Sequence, residues 1–234
     1  MAGVSTLCAQ TFYEPFAYEP SLLAGAGDWT GEEAPGAVQV VAGSLKIDGL
    51  APSQKNRIKL PPTLSKVHEA RRPLGASYQA PWFSFIIRVD STENLDAATP
   101  FGILRLLKAD GPAGPGIYLR KGATAEEVQI AASKRSNPQK ISTAPKAVAS
   151  GAPHLVVGRY NNSVTPHTLE IWIDPAPESL GAEEAPAPAF VAAEGVDLPV
   201  ALDTLVVGGG VKCPGVLIDE IRVGDTWADV TPTH

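Results

Sequence analysis

Cysteine is scarce in this chain, with two among 234 residues. Cys8 and Cys213 stand in neither a C-x-x-C nor a Cys/His ligand spacing, which excludes a zinc ribbon and a disulfide-framework fold. Methionine occurs once and aromatic residues make up only 6% of the chain. Basic charge is in deficit: 19 Lys and Arg against 25 Asp and Glu leave a formal charge of −6. The surrounding field therefore repels phosphate backbones and anionic headgroups, and nucleic acid is not an expected partner. No apolar run approaches the ~18 to 20 residues that a membrane-spanning helix needs, so no transmembrane segment is expected. Helical periodicity is missing from windows of about eleven residues, and no repeat recurs at roughly 20 to 50 residues.

What the chain has instead is punctuation. Twenty-two glycines and 22 prolines break a sequence that is still 44% hydrophobic, and the apolar segments between them are short and alternating. In Trp82-Phe83-Ser84-Phe85-Ile86-Ile87-Arg88-Val89, period two sends Phe83, Phe85, Ile87 and Val89 to one side and Trp82, Ser84, Ile86 and Arg88 to the other. The run from Thr168 to Asp174 repeats this, with Leu169, Ile171 and Ile173 inward and Glu170, Trp172 and Asp174 outward. Further strands are expected at 37–41, 44–47, 57–60, 102–107, 116–120, 128–132, 154–160, 204–207 and 217–223. About a dozen such strands imply an all-β, two-sheet antiparallel β-sandwich. Residues 174–189, with prolines at 175, 177, 186 and 188, read as a long surface loop. Residues 133–151 read as a loop or irregular edge, and Glu69 to Gly75 as a turn or a single helical turn ended by Pro73. With no composition break, residues 11–232 are expected to form one domain, and residues 1–10 a leader remnant or an artificial start.

Several strings then point to a family. Glu14-Pro15-Phe16-Ala17-Tyr18, Gly25-Ala26-Gly27-Asp28-Trp29-Thr30-Gly31 and the ending from Ile218-Asp219-Glu220-Ile221-Arg222-Val223-Gly224 through Thr226-Trp227-Ala228-Asp229-Val230-Thr231-Pro232 resemble the concanavalin A-like or laminin-G-like jelly-roll domains of exported bacterial proteins. The likeness covers nearly the whole chain. It implies a jelly roll with long Pro/Ala-rich loops whose first and last strands pair in the middle of one sheet, in an extracellular or cell-surface setting. The low use of Cys and Met agrees with export. If the terminal strands lie side by side, Cys8 and Cys213 come within reach of a disulfide, and two free thiols are the other reading.

Enzymes of this fold that cut glycans carry an E-x-D-x-x-E strand, which is absent here. Glu170 and Asp174 share a face but stand about 13 Å apart along a strand, too far for either glycosidase geometry. Lyases that share the fold carry Q-I-H and Y-x-K-x-G-x-Y strands. The nearest strings here are Gln129-Ile130-Ala131 and Tyr118-Leu119-Arg120-Lys121-Gly122, without the catalytic His and the second Tyr. His68, His154, His167 and His234 read as ordinary polar surface or loop residues, and no catalytic residue is assigned. The family often holds one structural Ca²⁺ between its first and last strands, which makes Asp219 and Glu14 the candidate ligands; the bland alternative is an Asp bonded to backbone amides and an exposed Glu. A sugar ligand needs accessible flat aromatics with polar neighbours. Trp82, Trp172 and Tyr160, with Arg88, Arg159 and Glu170 near them in pattern, are the candidates, unless the tryptophans pack beneath residues 174–189. The expected function is a non-catalytic extracellular binding or adhesion module, its partner a carbohydrate or another surface component. Alternatives are a structural spacer and a glycan-cleaving hydrolase or lyase with an atypical site built from Glu170, Asp174, Arg88 or Tyr160.

Overall fold

Alternating apolar residues become strands along almost the whole chain, and the computed structural model describes them over residues 11–34, 36–65, 67–110, 113–135, 140–197 and 201–233. In chain order the first eight are β1 (Phe12–Glu14), β2 (Thr30–Gly31), β3 (Gln39–Ala42), β4 (Asn56–Leu60), β5 (Glu69–Tyr78), β6 (Trp82–Val89), β7 (Phe101–Leu107) and β8 (Ala113–Lys121). Next come β9 (Glu127–Ser133), β10 (Ser142–Thr143), β11 (Val148–Ala149), β12 (Pro153–Asn161), β13 (Thr168–Ile173), β14 (Phe190–Ala192), β15 (Leu202–Gly208) and β16 (Val216–Gly224). A one-turn helix, α1 (Trp227–Val230), follows, closed by a capping box between Thr226 and Asp229.

Two antiparallel sheets result, and the protein is a jelly-roll β-sandwich. The first runs β14-β13-β12-β6-β16-β4-β3, with β1 also on β16; the second runs β10-β9-β8-β7-β15-β5-β2, with β11 also on β9. The first and last strands pair antiparallel, Glu14 opposite Ile221. Between the sheets Phe83, Phe85, Ile87, Leu169, Ile171, Leu205, Val207 and Ile221 form one buried core, against which Ile173 packs partly buried. These are the inward residues that period two selects.

Departures from the sequence reading have local causes. Residues 44–47 are not a strand; Leu45 instead packs on the outer side of the first sheet, and its amide donates to Asp219. Glu69 to Gly75 is no turn but the start of the ten-residue β5. Pro73 is tolerated there because β2 pairs only with Arg71 and Ala70, and on the other side its partner Thr204 of β15 stands at a register shift. The stretch 133–151 carries the two-residue strands β10 and β11. Cys8 and residues 1–10 lie outside the described residues, while Cys213 is a buried free thiol.

Candidate functional site

The outward side chains of the first sheet do converge, but under cover. Trp82 and Trp172 lie with ring centroids 5.2 Å apart and planes tilted by 32°, and Trp227 of α1 meets them at 5.9 and 5.4 Å. Residues 174–189 close over this trio: Trp172 Nε1 donates to the carbonyl of Pro186 at 2.8 Å and Trp227 Nε1 to that of Ser179 at 2.7 Å. Together with Ile86, Leu155, Val157, Leu180 and Leu217 they form a second apolar cluster, and Trp172 keeps 4% of its surface exposed. The open aromatic platform is therefore corrected to a roofed one. Two unsatisfied indole N–H groups near a proline-rich loop found carbonyls that have no ladder partner, and the rings were buried with them.

The other expected ligand contacts separate. Arg159 lies over the Trp82 ring at 5.0 Å and 3.6 Å from Glu170, so these stay at the rim of the covered cluster. Glu170 also accepts from Asn161 Nδ2 at 2.9 Å. Tyr160 stands opposite Leu169 on the core side and its hydroxyl meets His167 Nδ1 at 2.9 Å; its parity is the reverse of the one a shared platform needs. Arg88 is bonded to Asp90 at 2.9 Å, six residues along β6 from Trp82 and about 20 Å away. Asp174 is bonded to His154 and to the amide of Leu155, so the Glu170 and Asp174 carboxylates are both engaged structurally. Of the histidines expected in loops, His68 is buried and His154 lies within β12; His234 lies outside the described residues.

Calcium does not fit Glu14 and Asp219. Glu14 points between the sheets, where it accepts from the amide of Phe16 at 2.8 Å, Trp29 Nε1 at 2.9 Å and Tyr18 at 3.1 Å, and pairs with Arg72. Asp219 points to the opposite side of the sheet and accepts from the amides of Leu45 and Glu220 at 2.8 and 2.9 Å. The reversal arises at a bulge in β16 where Glu220 takes φ +54°. Facing N–H donors and an arginine, these oxygens have no lone pairs converging on a common point. Among the described residues no group of three or more His, Cys, Asp or Glu is placed to hold a metal ion.

The outward face of the second sheet is built differently. Register places Arg71 and Arg105 on either side of Val206, Arg105 opposite Gly116, Tyr118 between Gly102 and Ala131, and Arg120 opposite Gln129. Between these arginines Val206, Tyr118 and Ala131 are buried, while Arg71 is exposed and Arg105 and Arg120 are half-buried. Glu69 bridges Arg71 at 3.2 Å and Arg105 at 2.7 Å. On the far side Arg120 reaches Thr143 Oγ1 at 3.4 Å and Gln129 Nε2 donates to the carbonyl of Ala144 at 2.7 Å. Both apolar clusters of the described residues lie elsewhere, one between the sheets and one outside the first sheet. Sequence reading compared Tyr118, Arg120 and Gln129 with lyase strands but missed Arg71 and Arg105. In the sequence Arg105 is one polar residue in an apolar strand, and nothing local says that β5, β7 and β8 present their arginines together.

No family model matches this chain, and no curated protein matches it either. Solved structures do. An endo-β-1,4-glucuronan lyase from the fungus Trichoderma reesei superposes with TM-score 0.59 at 18% identity, covering 94% of this chain and 98% of that one. The carbohydrate recognition domain of Emp47p superposes with TM-score 0.51 at 10% identity, covering 93% and 95%. Both likenesses are of fold: a lectin-type jelly roll across nearly the full length of each chain.

Proposed function

We propose that this protein is a non-catalytic carbohydrate-binding module that takes an acidic polysaccharide along the outward face of its second sheet. The observation that carries this is the placement of Arg71, Arg105 and Arg120 on one outward face in a chain whose net charge is −6. Glu69 offsets one of these three charges, so the group keeps an excess of cationic charge. A guanidinium offers a planar fork that matches a uronate carboxylate. The fold's likeness to a glucuronan lyase and to a carbohydrate recognition domain makes uronate polymers the first ligands to try. An exported or surface-displayed setting agrees with that ligand class, since acidic polysaccharides are extracellular polymers.

A second reading, β-elimination on the same polymer, is favoured by one observation: Tyr118, although only 5% exposed, lies between the arginines of this face, and a phenol is a proton-exchanging group. Against it stands Ala131, opposite Tyr118 on β9, where no imidazole is available to share the acid and base work. Calorimetric titration with polyglucuronate and with a neutral glucan, at low and high salt, tests both. Salt-sensitive binding of the acidic polymer alone supports the binding module. Release of unsaturated uronate, seen by ultraviolet absorbance, supports the lyase. No binding of either polymer leaves a structural spacer as the better account.

A further inference from the structure

His154 stands at the start of β12 of the first sheet, within reach of β11 of the second. Its Nδ1 lies 2.6 Å from Asp174 Oδ2 and its Nε2 2.8 Å from the carbonyl oxygen of Ala149 on β11. A carboxylate and a carbonyl only accept, so both ring nitrogens are satisfied only when both carry protons, which makes the ring an imidazolium. Asp174 is fixed for this task by the amide of Leu155, which donates to its other oxygen at 2.9 Å. The remaining charged groups around the ring are spoken for or distant: Arg88, across β6 from neighbouring Pro153, is held by Asp90, and Glu127, opposite Ala149 on β9, accepts from the amide of Thr124. Lys146 lines the same cavity of about 390 Å³ that His154 and Asp174 border, and its charge opposes the imidazolium while Asp174 favours it.

The strand that His154 grips is short, and its other ties are the amides of Ala144 and Ser150, which donate to the carbonyls of Ile130 and Glu126 at 2.8 and 2.7 Å, and a few ladder pairs. β10 and β11 each pair with β9 over two residues, Ser142 and Thr143 opposite Ala132 and Ala131, Val148 and Ala149 opposite Val128 and Glu127. The same segment forms the far wall of the arginine face, since Thr143 and Ala144 receive Arg120 and Gln129. We propose that His154 is a proton-operated latch that holds the segment 142–149 against the sandwich edge and thereby sets the wall of the glycan-binding face; the second half of this inference rests on the reading of that face given above. Burial pushes the ring's pKa down, but the bonds to Asp174 and Ala149 outweigh it and leave the value above the ordinary 6.5. A raised value in the closed form means that closure is favoured at low pH and is lost as pH rises through it. Each pKa unit separating closed from open changes the closing constant tenfold.

Hydrogen exchange of the amides in 142–150 is to be followed from about pH 5 to about pH 9, bracketing the ordinary histidine value of ~6.5. The parent is divided at each pH by His154→Gln, and the ring is titrated in parallel by NMR. The ratio should show a more protected parent at low pH and should converge on one as the ring loses its proton; Asp174→Asn should move that crossing to lower pH. The parent's own profile, aligned with its ring titration, reads the latch even if a variant folds poorly. A ratio that stays flat through the ring's titration, or a ring that titrates at or below ~6.5, overturns the latch. Polyglucuronate affinity should fall across the same window in the parent and not in His154→Gln. Affinity that ignores the crossing overturns the coupling while the glycan reading stands. A crossing in exchange with no polymer bound at any pH keeps the latch and removes the glycan reading.

Discussion

Trp172 donates its indole N–H to the carbonyl of Pro186 at 2.8 Å, and this bond fastens the proline-rich stretch over the outer side of the first sheet. The ring is thereby structural. Trp172→Ala should destabilise the protein by about 3–5 kcal/mol through lost burial and a residual cavity. Trp172→Phe should cost less, since it keeps much of the packing and leaves one carbonyl without its donor. Urea unfolding of both variants checks this, and an alanine variant as stable as the parent would place the ring outside the packed cluster.

Phe85 is fully buried in the main core, opposite Val156 on β12. Phe85→Ala should cost about 3–5 kcal/mol by the same mechanism. A loss under about 1 kcal/mol, the scale of an exposed site, would contradict the face assignment of β6.

Glu14 and Arg72 form a buried pair that also engages Trp29 and Tyr18. Glu14→Gln should destabilise by about 1–3 kcal/mol, because it takes from the part-buried guanidinium its nearer counter-charge and leaves it Asp28 at 3.9 Å. Calcium and a chelator should leave the parent's melting temperature unchanged. A rise with added calcium would show that an ion competes with Arg72 after all.

Asp219 carries the chief acid-side signature. Burial pushes its carboxyl up to about 8, against the amides of Leu45 and Glu220, which pull it down. The folded state therefore holds a proton that the unfolded chain releases near 3.8, and stability should fall as pH rises from about 4 to about 8. Asp219→Asn should flatten that decline. Thermal melts of both proteins across this range, with a parallel slope in each, would remove Asp219 as its source.

Arg120 is the residue on the arginine face least tied to another charge, its guanidinium donating to the Thr143 hydroxyl. Arg120→Ala should weaken polyglucuronate binding by about 1.5–3 kcal/mol, the scale of hydrogen bonds to charged groups, with the fold unchanged. Titration beside a melting curve separates the two effects. Equal affinity in parent and variant would take the ligand away from this face.

Strand identity and the inward residues of β6 and β13 were legible in the chain, because side-chain direction in a strand alternates with period two and needs no distant information. The meeting of first and last strands was implied by the resemblance of both ends to a known jelly roll. Fate of the outward residues was not legible. Trp82 and Trp172 have the same parity whether they face solvent or a loop, and only the folding of residues 174–189 and α1 onto them decides which. Likewise Arg71, Arg105 and Arg120 sit on β5, β7 and β8, and cross-strand register alone places them on one face. Glu14 and Asp219 were expected together and lie apart, because a single bulge at Glu220 resets which side of β16 each residue faces. Local alternation determines which residues a strand offers to each side; long-range packing and register determine what, if anything, meets them there.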